Sequence, residues 1–184
     1  VDIASITKTH RIQILEPDLS GNEMNYIKDC LKTNWISSQG QYVKKFEQLF
    51  SKLHLNRYSL SVSNGTSALH LSLKTLDIGR GDEVIVPNIT FAACANAVIQ
   101  AEAEPVFCEI DKKTWCIKPS EIEALITPKT KAIMVVHLYG QVADIESIIK
   151  IASKFGLYVI EDCAEAIGSV FKGKPVGVFG DVAT

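Results

Sequence analysis

The sequence predicts an α/β fold: three layers, with helices on both faces of a mostly parallel, mixed sheet. Two observations predict it. Short, nearly continuous apolar runs such as Ala132-Ile133-Met134-Val135-Val136 alternate with longer segments whose apolar residues recur at helical spacing. Strands covered on both faces read as such runs, whereas a sheet with one wet face alternates apolar and polar residues. The length of 184 residues, 47% hydrophobic and 22% charged, suits one core of moderate size.

The elements follow in order. Ser20-Gly21-Asn22-Glu23 has the spacing of a capping box, with Ser20 as N-cap. A helix from about Gly21 to Thr33 follows, with Met24, Ile27, Cys30 and Leu31 on one face. Trp35 to Gly40 is a polar loop carrying an exposed aromatic. Gln41 to Leu55 is a second helix, with Val43, Phe46, Leu49, Phe50 and Leu53 in one stripe. Residues 1–56 are therefore expected as an N-terminal helical segment and 57–184 as the α/β domain.

Tyr58 to Val62 is predicted as a strand, and Gly65 to Leu76 as a helix closed by Gly79. Glu83 to Val86 is a short strand stopped by Pro87, Thr90 to Ala101 a helix, and Pro105 to Ile110 a strand. Ser120 is expected to cap a helix through Ile126, and Lys131 to Leu138 is a strong strand. Asp144 caps a helix with Ile145, Ile148, Ile149, Ala152 and Phe155 in one stripe, ended by Gly156. Leu157 to Glu161 is a strand, Lys172 to Pro175 an exposed hairpin turn, and Gly180 to Thr184 the start of another strand.

Composition narrows the function. The net charge of -2 gives no reason to expect nucleic acid or an anionic membrane as partner. No apolar run is long enough to span a bilayer, and Val1 to His10 lacks the order of a signal peptide. The five cysteines are odd in number and form no C-x-x-C pair, which fits reduced thiols in a cytoplasmic protein. Neither they nor the four histidines show metal-ligand spacing, so no metal is expected.

Two runs carry the chemistry. Ser63-Asn64-Gly65-Thr66-Ser67-Ala68 joins a strand to a helix, and unpaired N–H groups of a first helical turn attract anions. Gly65 lets the backbone come close, and Thr66 and Ser67 add hydroxyls; the plainer reading is N-capping by Asn64 or Ser63. Val159-Ile160-Glu161-Asp162 ends an apolar strand on a carboxylate, at the edge where ligands collect in such sheets. A carboxylate there keeps a pyridine nitrogen protonated; alternatively Asp162 caps the segment Cys163 to Ile167. A cofactor with a phosphate at one end and a cationic ring nitrogen at the other would span the two runs, and pyridoxal phosphate (PLP) is one. Phe91 either stacks on such a ring or belongs to the core, and Glu165 either accepts from a ring hydroxyl or lies at the surface. His137 reads as a satisfied, partly buried histidine.

Four stretches together resemble the DegT/DnrJ/EryC1/StrS sugar aminotransferase family: SNGTSALHLSL from Ser63, GDEVIVPNITFAACANAV from Gly81, KAIMVVHLYGQVADI from Lys131, and VIEDCAEAIGSVFKGKPVGVFGD from Val159. WISSQG from Trp35, with Glu rather than Gln at 165, is most similar to its perosamine synthase branch. The resemblance implies the large domain of a fold-type I, aspartate aminotransferase-like PLP enzyme. Its substrates would be glutamate and a nucleotide-linked 4-keto-6-deoxy sugar, and the complete protein would be a cytoplasmic homodimer. By that resemblance Gly65, Thr66 and Ser67 hold the cofactor phosphate, Phe91 stacks on the ring, Asp162 pairs with the ring nitrogen, and Glu165 bonds the ring hydroxyl. Trp35 and Ser37 would lie near the substrate. The Schiff-base lysine is expected after Thr184, so no catalytic base is named in this chain, and the small C-terminal domain is expected to be missing as well. A dehydratase of the same family, with histidine in place of that lysine, and a non-catalytic binding relative remain open readings. The Gly79-Arg80-Gly81 turn lies on the wrong side of a strand to hold a dinucleotide.

Overall fold

The computed structural model describes residues 16–184; the reading of Val1 to His10 lies outside them. The chain forms two compact units, one ending at Lys45 and the other running Phe46–Thr184. The expected division fell after residue 56.

The first unit holds helix α1 (Glu23–Thr33). Its N-cap is Asn22, without a side-chain bond, and not Ser20, whose N–H instead donates to Asp18 Oδ1 at 2.9 Å. The capping-box spacing is present, but the backbone enters the helix two residues later. Asn34, in the left-handed region at φ 59°, closes it. Helix α2 (Gln41–Leu53) stops short of Leu55, because Leu55 and Asn56 both take positive φ.

The second unit is built on α3 (Gly65–Thr75), β1 (Glu83–Pro87), α4 (Ala93–Gln100), β2 (Glu104–Cys108), α5 (Pro119–Ile122), β3 (Thr130–Val136), α6 (Ile145–Phe155), β4 (Tyr158–Asp162), the short hairpin β5 (Val170–Phe171) and β6 (Lys174–Pro175), and β7 (Val182–Ala183). Its sheet runs β2-β1-β3-β4-β7, and every pair in it is parallel. The hairpin stands apart as an antiparallel pair, turned by Lys172 and Gly173 at positive φ as a two-residue turn requires.

Alternate residues of each strand serve opposite faces. Val84, Val86, Met134 and Ile160 pack with Leu69 and Leu73 of α3 and Ala97 and Val98 of α4. Ile85, Ile133, Val135 and Val159 pack with Ile122 of α5 and Ile145 and Ile148 of α6. Both faces are therefore covered, as the continuous apolar runs require. Each fully buried aliphatic side chain contributes about 1.5–3 kcal/mol.

Local signals explain most element ends. Asp144 Oδ1 accepts the Ser147 N–H at 3.2 Å, and Gly156 at φ 66° closes α6. Three expectations are corrected. Tyr58 to Val62 forms no strand, because among the described residues no other segment pairs with it, and Tyr58 and Leu60 stay exposed. Helix α3 ends at Thr75, with Asp77 rather than Gly79 taking positive φ. Ser120 lies inside α5, whose first turn is set by Pro119, and residues Glu123–Leu125 tighten into a 3₁₀ turn.

Candidate active site

In a parallel sheet all strands end on one edge, and each connecting helix starts from that edge. The C-terminal ends of β1, β3 and β4 lead there to Phe91, His137 and Asp162. Helix α3 leads back to the start of β1, so its N-terminus opens on the same edge.

At that N-terminus Asn64 is the cap: its Oδ1 accepts the Ser67 N–H at 2.8 Å. The plainer reading of this turn is therefore correct, but it leaves room for the other. The N–H groups of Gly65 and Thr66 make no hydrogen bond among the described residues, as expected for a first turn. A Cβ at Gly65 would meet nothing within 4 Å, so the cradle is open where an anion would sit. The Ser63 and Ser67 hydroxyls lie 3.3 Å apart beside it, both exposed.

Asp162 is only 6% exposed, at the end of β4. Its Oδ1 accepts the Ala164 N–H at 3.1 Å and its Oδ2 the Cys94 thiol at 3.1 Å. The Ala164 bond, two residues on, is the cap-type bond of the turn that starts at Cys163, so the plainer reading of Asp162 holds for one oxygen although no helix follows. Phe91 is 72% exposed, which removes the core reading and leaves its ring face free. Glu165 Oε2 accepts the Tyr139 N–H at 2.9 Å, holding Tyr139 in the left-handed region at φ 51°. Phe91, Asp162 and Glu165 thus share one edge with the open turn of α3. Trp35 and Ser37 belong to the first unit, where Trp35 is half exposed and the Ser37 hydroxyl accepts the Gln39 N–H at 3.3 Å.

Sequence reasoning missed the roles of Glu161, Arg57 and Cys94, and read His137 correctly as satisfied. Glu161 is fully buried and accepts N–H groups from Gly177 (2.9 Å), Phe179 (2.8 Å) and Gly180 (2.6 Å). His137, fully buried rather than partly, lies with Nε2 3.1 Å from Glu161 Oε2. The Ala143 N–H donates to its Nδ1, so Nε2 carries the hydrogen. Burial pushes the Glu161 carboxyl up, but the bonds from His137, Gly180, Gly177 and Phe179 outweigh it and hold the carboxyl below its ordinary value. Arg57 donates to Gly180 O at 2.8 Å and Asp181 O at 3.1 Å, fixing the same loop from outside. The third is Cys94. Only the run of apolar residues around Glu161 hinted at any of these, since a carboxylate inside a buried strand must be hydrogen-bonded.

His137, Glu161 and Cys163 bring ligand atoms within 4.8 Å of one another. They suit a metal poorly. Both His137 nitrogens and both Glu161 oxygens are engaged, and burial together with Glu161 and Asp162 pushes the Cys163 thiol up, away from the thiolate form. Lys172, at the hairpin turn, pairs with Glu146 of α6.

The model of the DegT/DnrJ/EryC1/StrS aminotransferase family matches residues 17–184. The chain belongs to this family. It is 51% identical over 173 residues to GDP-perosamine synthase of Escherichia coli O157:H7, covering 94% of this chain and 48% of that protein. The aminotransferase from Psychrobacter cryohalolentis superimposes with a TM-score of 0.87 at 40% identity, covering 91% of this chain and 42% of the other. Spr1654 from Streptococcus pneumoniae, solved in PMP and PLP forms, superimposes at 0.90 with 30% identity, covering 95% and 48%. The chain thus spans about half the length of the family members it matches. Among the described residues no helix is long and apolar enough to cross a membrane.

Proposed function

We propose that the complete protein is a PLP-dependent nucleotide-sugar aminotransferase, moving an amino group from glutamate to a keto group of a nucleotide-linked 4-keto-6-deoxy sugar. One observation carries the reading: a buried carboxylate, Asp162, stands at the same sheet edge as the open first turn of α3. Those two features suit a ligand with a cationic ring nitrogen and a phosphate. The likeness to GDP-perosamine synthase supports the sugar substrate.

Gly65 and Thr66 donate their N–H groups to the phosphate, and the Thr66 and Ser67 hydroxyls add to them. The helix N-terminus favours the anion by about 0.3–1 kcal/mol, more where it is partly buried. Asp162 keeps the ring nitrogen protonated, because the charged form gains an opposite charge beside a buried carboxylate. Phe91 covers one ring face, and Glu165 Oε1 accepts from the ring hydroxyl while Oε2 keeps Tyr139. When bound, the cofactor supplies the electron sink that amino transfer needs. Trp35 and Ser37 serve the sugar side, and the active protein is a cytoplasmic homodimer. No lysine among these residues is assigned the proton-moving role.

The test is the absorbance spectrum of the full-length protein with PLP, before and after glutamate. Conversion of the bound cofactor, with release of 2-oxoglutarate, is expected. A spectrum that glutamate leaves unchanged would remove amino transfer from glutamate.

A further inference from the structure

Cys94 lies at the second position of α4, with no exposed surface. Its Sγ stands 3.1 Å from Asp162 Oδ2 and 3.1 Å from Thr90 Oγ1. Its main-chain N–H donates to Phe91 O at 3.2 Å. One residue therefore touches both the carboxylate assigned to the ring nitrogen and the backbone of the aromatic assigned to the ring face. We propose that Cys94 is a positioning residue for the cofactor, its thiol fixing the Asp162 carboxylate so that a free lone pair meets the ring nitrogen. The inference rests on the reading of Asp162 given above.

The chemistry of a thiol suits this task. A carboxylate bound only through Oδ1 could turn about its Cβ–Cγ bond; the Ala164 N–H on one oxygen and the thiol on the other hold it in one plane. Each oxygen keeps a second lone pair for the ring. Burial and the Asp162 charge push the Cys94 thiol up to about 12, so it stays a neutral S–H donor. A lysine or arginine in its place would neutralise the charge that keeps the ring nitrogen protonated. The neutral thiol orients the carboxylate and leaves its charge for the ligand. With S–H donated to Asp162, the sulfur accepts from the Thr90 hydroxyl, and the two bonds reinforce each other.

Two measurements on the full-length protein test this. The first needs no cofactor. The S–H infrared band that disappears in Cys94→Ser should lie at low frequency, as for a donor to a carboxylate, and should rise in Asp162→Asn. A band at the frequency of a free thiol, unmoved by Asp162→Asn, overturns the proposal. The second is the dissociation constant of pyridoxamine phosphate. Cys94→Ala should weaken it about three- to tenfold, the scale of one ordinary intramolecular hydrogen bond. Cys94→Ser should restore it, and Cys94→Ala should add nothing in the Asp162→Asn background. Additive losses, or no rescue by serine, make Cys94 a packing residue only. If Asp162→Asn itself leaves affinity unchanged, the reading of Asp162 falls and this inference with it. If Asp162→Asn weakens binding and Cys94→Ala does not, the inference alone falls.

Discussion

Glu161 and Asp162 are adjacent in β4, yet their carboxylates serve opposite faces of the sheet. Asp162 meets Cys94 of α4, whereas Glu161 gathers His137 and the N–H groups of Gly177, Phe179 and Gly180. The period-2 geometry of a strand makes this division. One charge is spent inside the protein on a loop, and the other is left for a ligand.

Glu161→Gln should therefore act on stability. The amide would turn an N–H group toward donors that need an acceptor, at a cost of about 2–3 kcal/mol. The pH dependence has a definite sign. Since the folded carboxyl titrates below its ordinary value of 4.5, its contribution is complete above that value and is lost as pH falls through the folded one. Urea unfolding at several pH values should show Glu161→Gln less stable at neutral pH and with a shallower acid limb. Identical acid limbs in the two proteins would count against the clamp.

Gly65→Ala separates binding from folding at the phosphate turn. The added Cβ meets no atom within 4 Å, and alanine is the better helix former, so the melting temperature should hold or rise slightly. The methyl group would occupy the open cradle, and affinity for pyridoxamine phosphate should fall at least tenfold. Unchanged affinity would place the phosphate elsewhere.

Phe91→Ala should leave stability within about 0.5 kcal/mol, because the side chain is already 72% exposed. Loss of a stacking face should weaken cofactor binding about three- to tenfold. A large drop in melting temperature with normal binding would return Phe91 to a structural role.

Much of this was legible in the sequence, for reasons of locality. The β3 and β4 runs, the Asp144 cap and the Gly156 stop depend only on near neighbours; the cap and stop appear as read, and the strands lie within two residues of their expected bounds. The DegT/DnrJ/EryC1/StrS resemblance rested on four such runs and is met by the family match over residues 17–184. What failed depended on partners. Tyr58 to Val62 has strand-like residues, but a strand exists only when another pairs with it. Ser20 has a capping side chain, but the first helical bonds are accepted by Asn22 O, two residues on. Cys94 and Arg57 gave no signal, since their partners lie 68 and more than 100 residues away. Glu161 was hidden beside Asp162 in one short motif.

Asp162→Asn in the full-length protein keeps the shape while removing the charge; its amide oxygen can still accept the Ala164 N–H, but its NH2 replaces the oxygen that accepts the Cys94 thiol. Turnover should fall roughly 10²- to 10³-fold, the scale for losing one preorganised electrostatic partner. The melting temperature should change far less. Turnover near wild type would take Asp162 out of the mechanism.

The most direct measurement is the ¹⁵N resonance of the cofactor ring nitrogen, recorded on full-length protein loaded with labelled pyridoxamine phosphate. A protonated nitrogen at neutral pH, becoming unprotonated in Asp162→Asn, is the expected result. An unprotonated nitrogen in the wild-type protein, or a protonated one that Asp162→Asn leaves untouched, would contradict the assignment of Asp162.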